Sequence, residues 1–118
     1  MTQRVEVAVG ALAEMDDPGC REFMIGDGDW PLRGFVVRQG VDIFAYENVC
    51  RHVGHQLNWK PDEFLTKDRS AIMCASHGAL YDIRSGECLG GPCPGKSLKG
   101  VDVEVRDGVV YVTGPTSA

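Results

Sequence analysis

The chain has no long hydrophobic run and no concentration of basic residues. No stretch of its 118 residues approaches the length of a membrane-spanning helix, and residues 1–6 carry neither an apolar run nor a twin-arginine pair. Its 12 Lys and Arg are scattered among 17 Asp and Glu, which gives a net charge of −5. These features argue against membranes and nucleic acids as partners. They predict a cytoplasmic protein whose acidic surface suits a basic protein partner.

Histidine is scarce, and the cysteine count is odd. Five cysteines in a chain without an evident export signal indicate metal binding and free thiols rather than a disulfide framework. We expect Cys20, Cys88 and Cys93 to be small buried apolar side chains, because free cysteines are commonly buried. Cys88 and Cys93 are close in sequence, so a bridge between them or a place lining a metal-binding loop is an open alternative.

The fold class follows from short alternating segments separated by turn residues. With 43% hydrophobic residues, the chain can bury one modest core, which predicts a single domain over residues 1–118. Hairpin turns are predicted at Gln39-Gly40 and Asp107-Gly108. The predicted class is all-β, with strands at residues 5–9, 21–25, 34–38, 41–47, 71–73, 81–83, 99–106 and 109–113.

Two short clusters supply thiolate and imidazole ligands at suggestive spacings. Cys50 and His52 form a Cys-x-His pair, and Cys74 and His77 form a Cys-x-x-His pair after 21 intervening residues. Two Cys and two His are the ligands of [2Fe-2S] clusters in which imidazoles replace thiolates on one iron and raise the reduction potential. Zinc also accepts two Cys and two His, but structural zinc sites usually pair like with like at short spacing. The pattern therefore favours the iron–sulfur cluster over zinc.

At these residues the chain resembles the Rieske ferredoxin family, and Gly54, Gly78 and Tyr81 match it as well. The resemblance implies an antiparallel β-sandwich with a cluster-binding subdomain made by two loops, at about residues 48–58 and 72–82. It implies one [2Fe-2S] cluster per chain, with one iron held by Cys50 and Cys74 and the other by His52 and His77. The glycines would allow tight turns around the sulfides, and the Tyr81 hydroxyl would reach a ligand sulfur.

Departures from the family pattern narrow the function. High-potential members of respiratory complexes resemble this chain but brace the cluster with a disulfide, where this sequence has His55 and Ser76. Ala79 stands where those members have a sulfide-bonding serine, so we expect a potential in the lower part of the range of roughly −150 to +300 mV. His55 is expected near the cluster without binding it. Three histidines cannot also supply the mononuclear iron site of a Rieske oxygenase.

An insertion at about residues 58–70 lengthens the segment between the two ligand pairs. It contains Trp59 and Phe64, and we expect these aromatic side chains to pack over the cluster loops. A docking surface is the alternative.

The resulting interpretation is a one-electron carrier of the Rieske ferredoxin type rather than an enzyme. Its partners would be a reductase and a terminal acceptor, most plausibly an oxygenase. One alternative is a small Rieske subunit of a larger redox enzyme, of the oxygenase or nitrite reductase type. The other is a zinc-stabilised or redox-sensing binding module.

Overall fold

Three antiparallel sheets account for most of the structure, a computed structural model that describes residues 3–26, 32–48, 64–74, 78–90 and 97–116. Each sheet has three strands in the described residues, in the orders β1-β9-β8, β2-β3-β4 and β5-β6-β7. The strands are β1 (Gln3–Ala11), β2 (Gly19–Ile25), β3 (Leu32–Gln39), β4 (Asp42–Glu47), β5 (Ile72–Met73), β6 (Leu80–Tyr81), β7 (Cys88–Gly90), β8 (Asp102–Arg106) and β9 (Val109–Thr116). We call the three sheets the outer, central and small sheet, in that order.

Both predicted hairpins are present, and the first turns at Gly40-Val41 rather than at Gln39-Gly40, because Gln39 still pairs with Asp42. Strands β3 and β4 pair from Gly34–Glu47 to Gln39–Asp42, and β8 and β9 pair on either side of Asp107 and Gly108. Asp107 and Gly108 both have positive φ, 51° and 76°, as a two-residue type I′ turn requires. The turn residues thus set the register of the clearest hairpin in the chain.

The outer and central sheets pack together through branched apolar side chains. Valines that alternate along β1, β8 and β9 turn toward the central sheet, because successive residues of a strand face opposite sides. Their counterparts on the central sheet are Phe23, Ile25, Val36 and Ala45. This is the β-sandwich that the sequence predicts.

The central strand β3 is buried on both faces. Val36 belongs to the core shared with the outer sheet, whereas Phe35 and Val37 belong to a second core shared with the small sheet. All three side chains are fully buried. The central sheet therefore lies between the outer sheet and the small sheet and packs against both.

The outward face of the outer sheet is charged. Arg4 pairs with Asp102 at 2.5 Å, and Arg106 pairs with Glu6 while lying over the Tyr111 ring at 4.2 Å. Such exposed ion pairs add little stability. They keep this face solvated and mark it as the side away from the small sheet.

The small sheet differs in detail from its prediction. Strand β6 ends at Tyr81 rather than at residue 83, because the chain turns at Asp82, whose side chain accepts hydrogen bonds from the backbone and hydroxyl of Ser85. Strand β7 was not predicted from the sequence, and neither was the single 3-10 turn at Leu12–Glu14. Among the residues described, no helix has the length and apolar character needed to cross a membrane.

Candidate functional site

Three of the predicted site residues, Cys74, Gly78 and Tyr81, belong to the described part of the chain. All three lie in or beside the small sheet, where the second predicted loop leaves β5 and returns as β6. The remaining predicted site residues lie outside the described residues; they are Cys50, His52, Gly54, His55 and His77.

Cys74 occupies a fully buried position at the end of β5, with 0% of its surface exposed. Its backbone N–H donates to Ala79 O at 2.8 Å, and its carbonyl accepts a bond from Gly78 N–H at 2.9 Å. These two bonds close the ends of the loop onto each other. The thiol of Cys74 is therefore placed by backbone bonding on both sides and is shielded from water.

Gly78 has the backbone conformation that the sequence predicts. Its φ is +70°, and apart from its chain neighbours no atom of the described residues lies within 4 Å of the position a Cβ would take. The requirement for glycine here is thus conformational and not a matter of space. The Gly78 N–H donates to Cys74 O, so this amide closes the turn. That the turn brings backbone N–H groups toward the sulfides stays a prediction.

Tyr81 is fully buried and sits in the same core as Cys74 and Ala79. In the sheet it is opposite Ile72 on one side and Cys88 on the other. Its ring is therefore part of the core against which the ends of the loop, Cys74 and Ala79, pack. The contact of its hydroxyl with a ligand sulfur stays a prediction.

Phe64 belongs to the same buried core as Cys74. It is 2% exposed and stacks on Phe35 of the central sheet, with ring centroids 4.0 Å apart and an interplanar angle of 11°. Phe64 is thus a packing residue in contact with the central sheet, and its covering of the cluster loops stays a prediction. Trp59 lies outside the described residues. The predicted insertion is partly regular, since Thr66 N–H bonds to Ala71 O and Met73 N–H bonds to Phe64 O.

The tip of this 64–73 hairpin is held by one carboxylate. Asp68 Oδ1 accepts hydrogen bonds from Thr66 Oγ1 at 2.5 Å, Ser70 Oγ at 2.7 Å and Ser70 N–H at 3.1 Å. These bonds, led by the one from Thr66, lower the pKa of Asp68 to about 2 because they favour its charged form. Arg69, at φ 59°, completes the turn and donates to Pro18 O at 3.1 Å.

The other two described cysteines, Cys20 and Cys88, are half-buried and pack against the core that contains Cys74. The Cys88 thiol donates to Gly90 O at 3.3 Å. The expectation of apolar packing is met in part, because neither side chain is fully buried. Cys93 lies outside the described residues.

Tyr46 is a residue of this region that sequence reasoning missed. It is 5% exposed, lies in β4 and donates from its hydroxyl to Ile83 O at 2.6 Å. Burial, followed by the nearby Asp82 carboxylate, raises the pKa of Tyr46 to about 12. The alternation of Phe44, Ala45 and Tyr46 could have shown which face it occupies, but the bond to Ile83 has no local sequence signal.

Comparison with known proteins agrees with this arrangement. A family model described as the Rieske [2Fe-2S] domain matches residues 6–110 of the chain. The chain belongs to the Rieske family. The match covers the central and small sheets, part of the outer sheet and the sequence positions of both predicted loops.

Ferredoxins and reductase subunits are both among the relatives of this Rieske domain. The chain is 33% identical over 79 residues to ferredoxin CarAc of Metapseudomonas resinovorans, and the alignment covers 67% of this chain and 68% of that ferredoxin. It is 31% identical over 78 residues to the menaquinol:cytochrome c reductase iron-sulfur subunit of Bacillus subtilis, covering 66% of this chain. The match spans only 44% of that reductase subunit.

The fold also matches a solved Rieske ferredoxin over nearly its whole length. That protein is the ferredoxin of carbazole 1,9a-dioxygenase from Nocardioides aromaticivorans IC177. The TM-score is 0.70 at 25% sequence identity, and the match covers 92% of this chain and 96% of the other.

A Rieske domain binds one [2Fe-2S] cluster, and the described residues fit that group. The buried Cys74 offers a soft sulfur ligand on a turn closed by two backbone bonds. The sequence supplies three more donors of the required types at Cys50, His52 and His77. Because thiolate favours iron–sulfur clusters and imidazole suits iron, the donor set is chemically suitable.

Proposed function

We propose that this Rieske protein is a one-electron carrier that takes electrons from a reductase and delivers them to a terminal acceptor, with an oxygenase as the favoured acceptor. The observation that carries the proposal is the match to a ferredoxin of a dioxygenase system over 96% of that ferredoxin's length. The chain would be a component of an oxidoreductase system and would change no covalent bond in a substrate by itself.

The proposed ligands are Cys50 and Cys74 for one iron and His52 and His77 for the other. When bound, the cluster accepts and gives up a single electron, at a potential raised by its two neutral imidazole ligands. Cys74 holds its sulfur in a water-shielded core, and Gly78 gives the loop its turn. Gly54 and His55 would line the first loop, and Tyr81 would tune the potential through its hydroxyl.

A second candidate is a small Rieske subunit of a larger redox enzyme. The 31% identity to a menaquinol:cytochrome c reductase subunit supports it. Two sequence departures weigh against the quinol-oxidising version, since His55 and Ser76 stand where such subunits have the bridging cysteines. A potential in the lower part of the Rieske range would favour the ferredoxin, and a high potential would favour the subunit.

We also propose a cytoplasmic location. The support is the odd number of cysteines, which suits a reducing compartment. Cell fractionation followed by immunoblotting tests this, and recovery from the membrane or periplasmic fraction would contradict it.

Spectroscopy of anaerobically purified protein tests the function. We expect a brown protein with about two iron atoms per chain, whose dithionite-reduced form gives a rhombic EPR signal of low average g. Rapid reoxidation of the reduced protein by an oxygenase would support the role as carrier. A colourless protein with one zinc would overturn electron transfer and leave the structural binding module.

Ligand variants test the site. The change His52→Cys replaces an imidazole with a thiolate, so we expect a lower potential and an altered EPR spectrum. His55→Ala is the matched control, because His55 lies in the same sequence segment and is not a proposed ligand. An unchanged spectrum in His52→Cys, or loss of the cluster in His55→Ala, would show that the ligand assignment is wrong.

A further inference from the structure

We propose that Tyr46 is a positioning residue that fixes the second cluster-binding loop against the strand leading to the first one. The inference rests on the proposed electron-transfer function. It concerns a residue outside the predicted ligand set and the predicted loops.

The bond between Tyr46 and Ile83 joins two sheets. Tyr46 belongs to the central sheet, whereas Ile83 lies two residues beyond the end of β6 of the small sheet. The hydroxyl-to-carbonyl distance is 2.6 Å, and both residues are at least 95% buried, with 5% and 2% exposed. A buried carbonyl that loses its donor is costly, so this bond holds the end of β6 in place.

A glycine accommodates the ring of Tyr46. A Cβ on Gly86 would lie 2.8 Å from Cε1 of Tyr46, and Gly86 has φ +75°. The turn that follows β6 therefore closes around the aromatic ring. Its backbone is fixed by bonds from Gly86 N–H to Asp82 O and from Leu98 N–H to Gly86 O, both at 2.8 Å.

The same residue is close in the chain to both predicted loops. Two residues after Tyr46, the N–H of Asn48 bonds to Arg33 O at the point where the first predicted loop begins. On the other side, Ile83 lies two residues after Tyr81, and the strand of Tyr81 returns from the turn that holds Cys74. Tyr46 thus links the entry to one loop with the exit from the other.

The hydrogen bond from Tyr46 to Ile83 does not depend on pH at neutral and moderately alkaline pH. With its pKa raised to about 12, the hydroxyl of Tyr46 stays protonated and can donate at neutral and moderately alkaline pH. The groups facing it are the Ile83 carbonyl, the Asp82 carboxylate and the ring of Phe35, which lies 6.0 Å away between centroids. A change at Tyr46 should therefore act through geometry rather than through its own titration.

Loop spacing affects the reduction potential because solvent access and hydrogen bonds to sulfur set the potential of such clusters. We expect Tyr46→Phe, which removes only the hydroxyl, to retain the cluster but to shift its potential by more than the reproducibility of the wild-type value. The difference should be the same at pH 6 and pH 9. Tyr111→Phe is the matched control, because Tyr111 lies on the outer sheet. The cluster of this variant should have the reduction potential of the wild type.

A second variant approaches the same contact from the other side. Gly86→Ala places a methyl group against the Tyr46 ring at a residue with φ +75°, so it disturbs both this contact and the turn after β6 and should also shift the potential. A lower melting temperature with an unchanged potential in both variants would mean a merely structural role and would overturn the proposal.

Hydrogen exchange separates this proposal from the proposed function. Tyr46→Phe should speed exchange at the amides of Cys74 and Gly78, which close the second loop, and leave those of β8 and β9 unchanged. A wild-type protein without a Rieske spectrum would refute electron transfer, and the exchange result would still decide whether Tyr46 positions the loop. Unchanged exchange at both amides would refute the positioning role itself.

Discussion

The phenol hydroxyl of Tyr46 and the ring of Phe64 stabilise the small sheet in different ways. Tyr46 contributes one directional bond to a buried carbonyl, whereas Phe64 contributes apolar area and a stacked contact with Phe35. A hydrogen bond fixes the position of the groups that it joins, whereas burial of apolar area lowers the free energy of the folded state. The two residues therefore give different predicted responses to pH and to truncation.

The raised pKa of Tyr46 predicts a loss of stability in alkali. Its pKa is about 12 in the folded protein against 10.0 as the ordinary value, so the folded state keeps the proton longer than the unfolded state does. This contribution is fully present below pH 10 and is lost between pH 10 and 12, amounting to at most about 3 kcal/mol. Urea unfolding from pH 8 to 12 measures it.

The Tyr46→Phe variant isolates this contribution, since its stability should fall less steeply over the same pH window. Tyr111→Phe should retain the wild-type dependence. Parallel curves for wild type and Tyr46→Phe would contradict the prediction.

Truncation of Phe64 should destabilise the whole fold. Phe64 is 2% exposed and stacked on Phe35, and replacing a buried Phe with Ala typically costs about 3–5 kcal/mol. Equilibrium unfolding in urea tests Phe64→Ala against Val41→Ala, a change at a side chain that is 85% exposed. The control should stay within about 0.5 kcal/mol of wild type. A loss below about 1 kcal/mol for Phe64→Ala would show that the site tolerates the cavity.

Some residues of the site could be predicted from the sequence, and others could not. Cys74 and Gly78 were identifiable because spacing and residue type are local signals, and the positive φ of Gly78 agrees. The bond from Tyr46 to Ile83 joins positions 37 residues apart, so nothing in the neighbouring sequence announces it. The alternatives left for Phe64 were resolved only by its contact with the distant Phe35.

At the scale of elements, the turn of the β8–β9 hairpin allows two reasons for a glycine to be tested separately: a left-handed backbone conformation and a lack of room for a side chain. Gly108 has φ +76°, whereas Gly100 does not have a left-handed φ, and no atom lies within 4 Å of a Cβ at either position. We expect Gly108→Ala to destabilise the protein by about 1 kcal/mol or more, because alanine adopts positive φ only with strain.

The matched change Gly100→Ala should be close to neutral or slightly stabilising, since it reduces the freedom of the unfolded chain without strain. Thermal unfolding of the two variants under one set of conditions measures the difference. Equal melting temperatures would show that the turn does not depend on the left-handed conformation of Gly108.

Elements were predictable where turns and alternation coincide. The valines of β8 and the Asp107-Gly108 turn predicted a hairpin that the structure contains. Strand β7 was missed because it has three residues and adjoins glycines, so it has neither length nor alternation. Its pairing with β6 is decided by tertiary contact at Tyr81 and Cys88.

At the scale of the whole molecule, stability is expected to be uneven. The strands of the small sheet have two, two and three residues, whereas β1, β3 and β9 have nine, eight and eight. Short strands are marginal without additional support. Because metal binding contributes to folding free energy, the cluster would supply that support to the small sheet.

Removing the iron with a chelator under reducing conditions should therefore loosen one part of the molecule first. Amides of β5, β6 and the turn at Asp82–Gly86 should lose protection from hydrogen exchange, and those of β3, β8 and β9 should keep most of theirs. Exchange measured by mass spectrometry before and after iron removal tests this, with reconstituted protein as the control. Equal loss of protection in all three sheets would show that the fold opens as one unit.

Because β3 lies between two cores, one face of the molecule is suited to the attachment of a chemical label. The central sheet separates the charged outward face of the outer sheet from the small sheet, and packed sheets lie about 10 Å apart. A cysteine introduced at Glu6 or Asp102 would carry a dye, an affinity tag or an electrode linker on the side remote from Cys74. Such a tether leaves the end that carries Cys74 unobstructed.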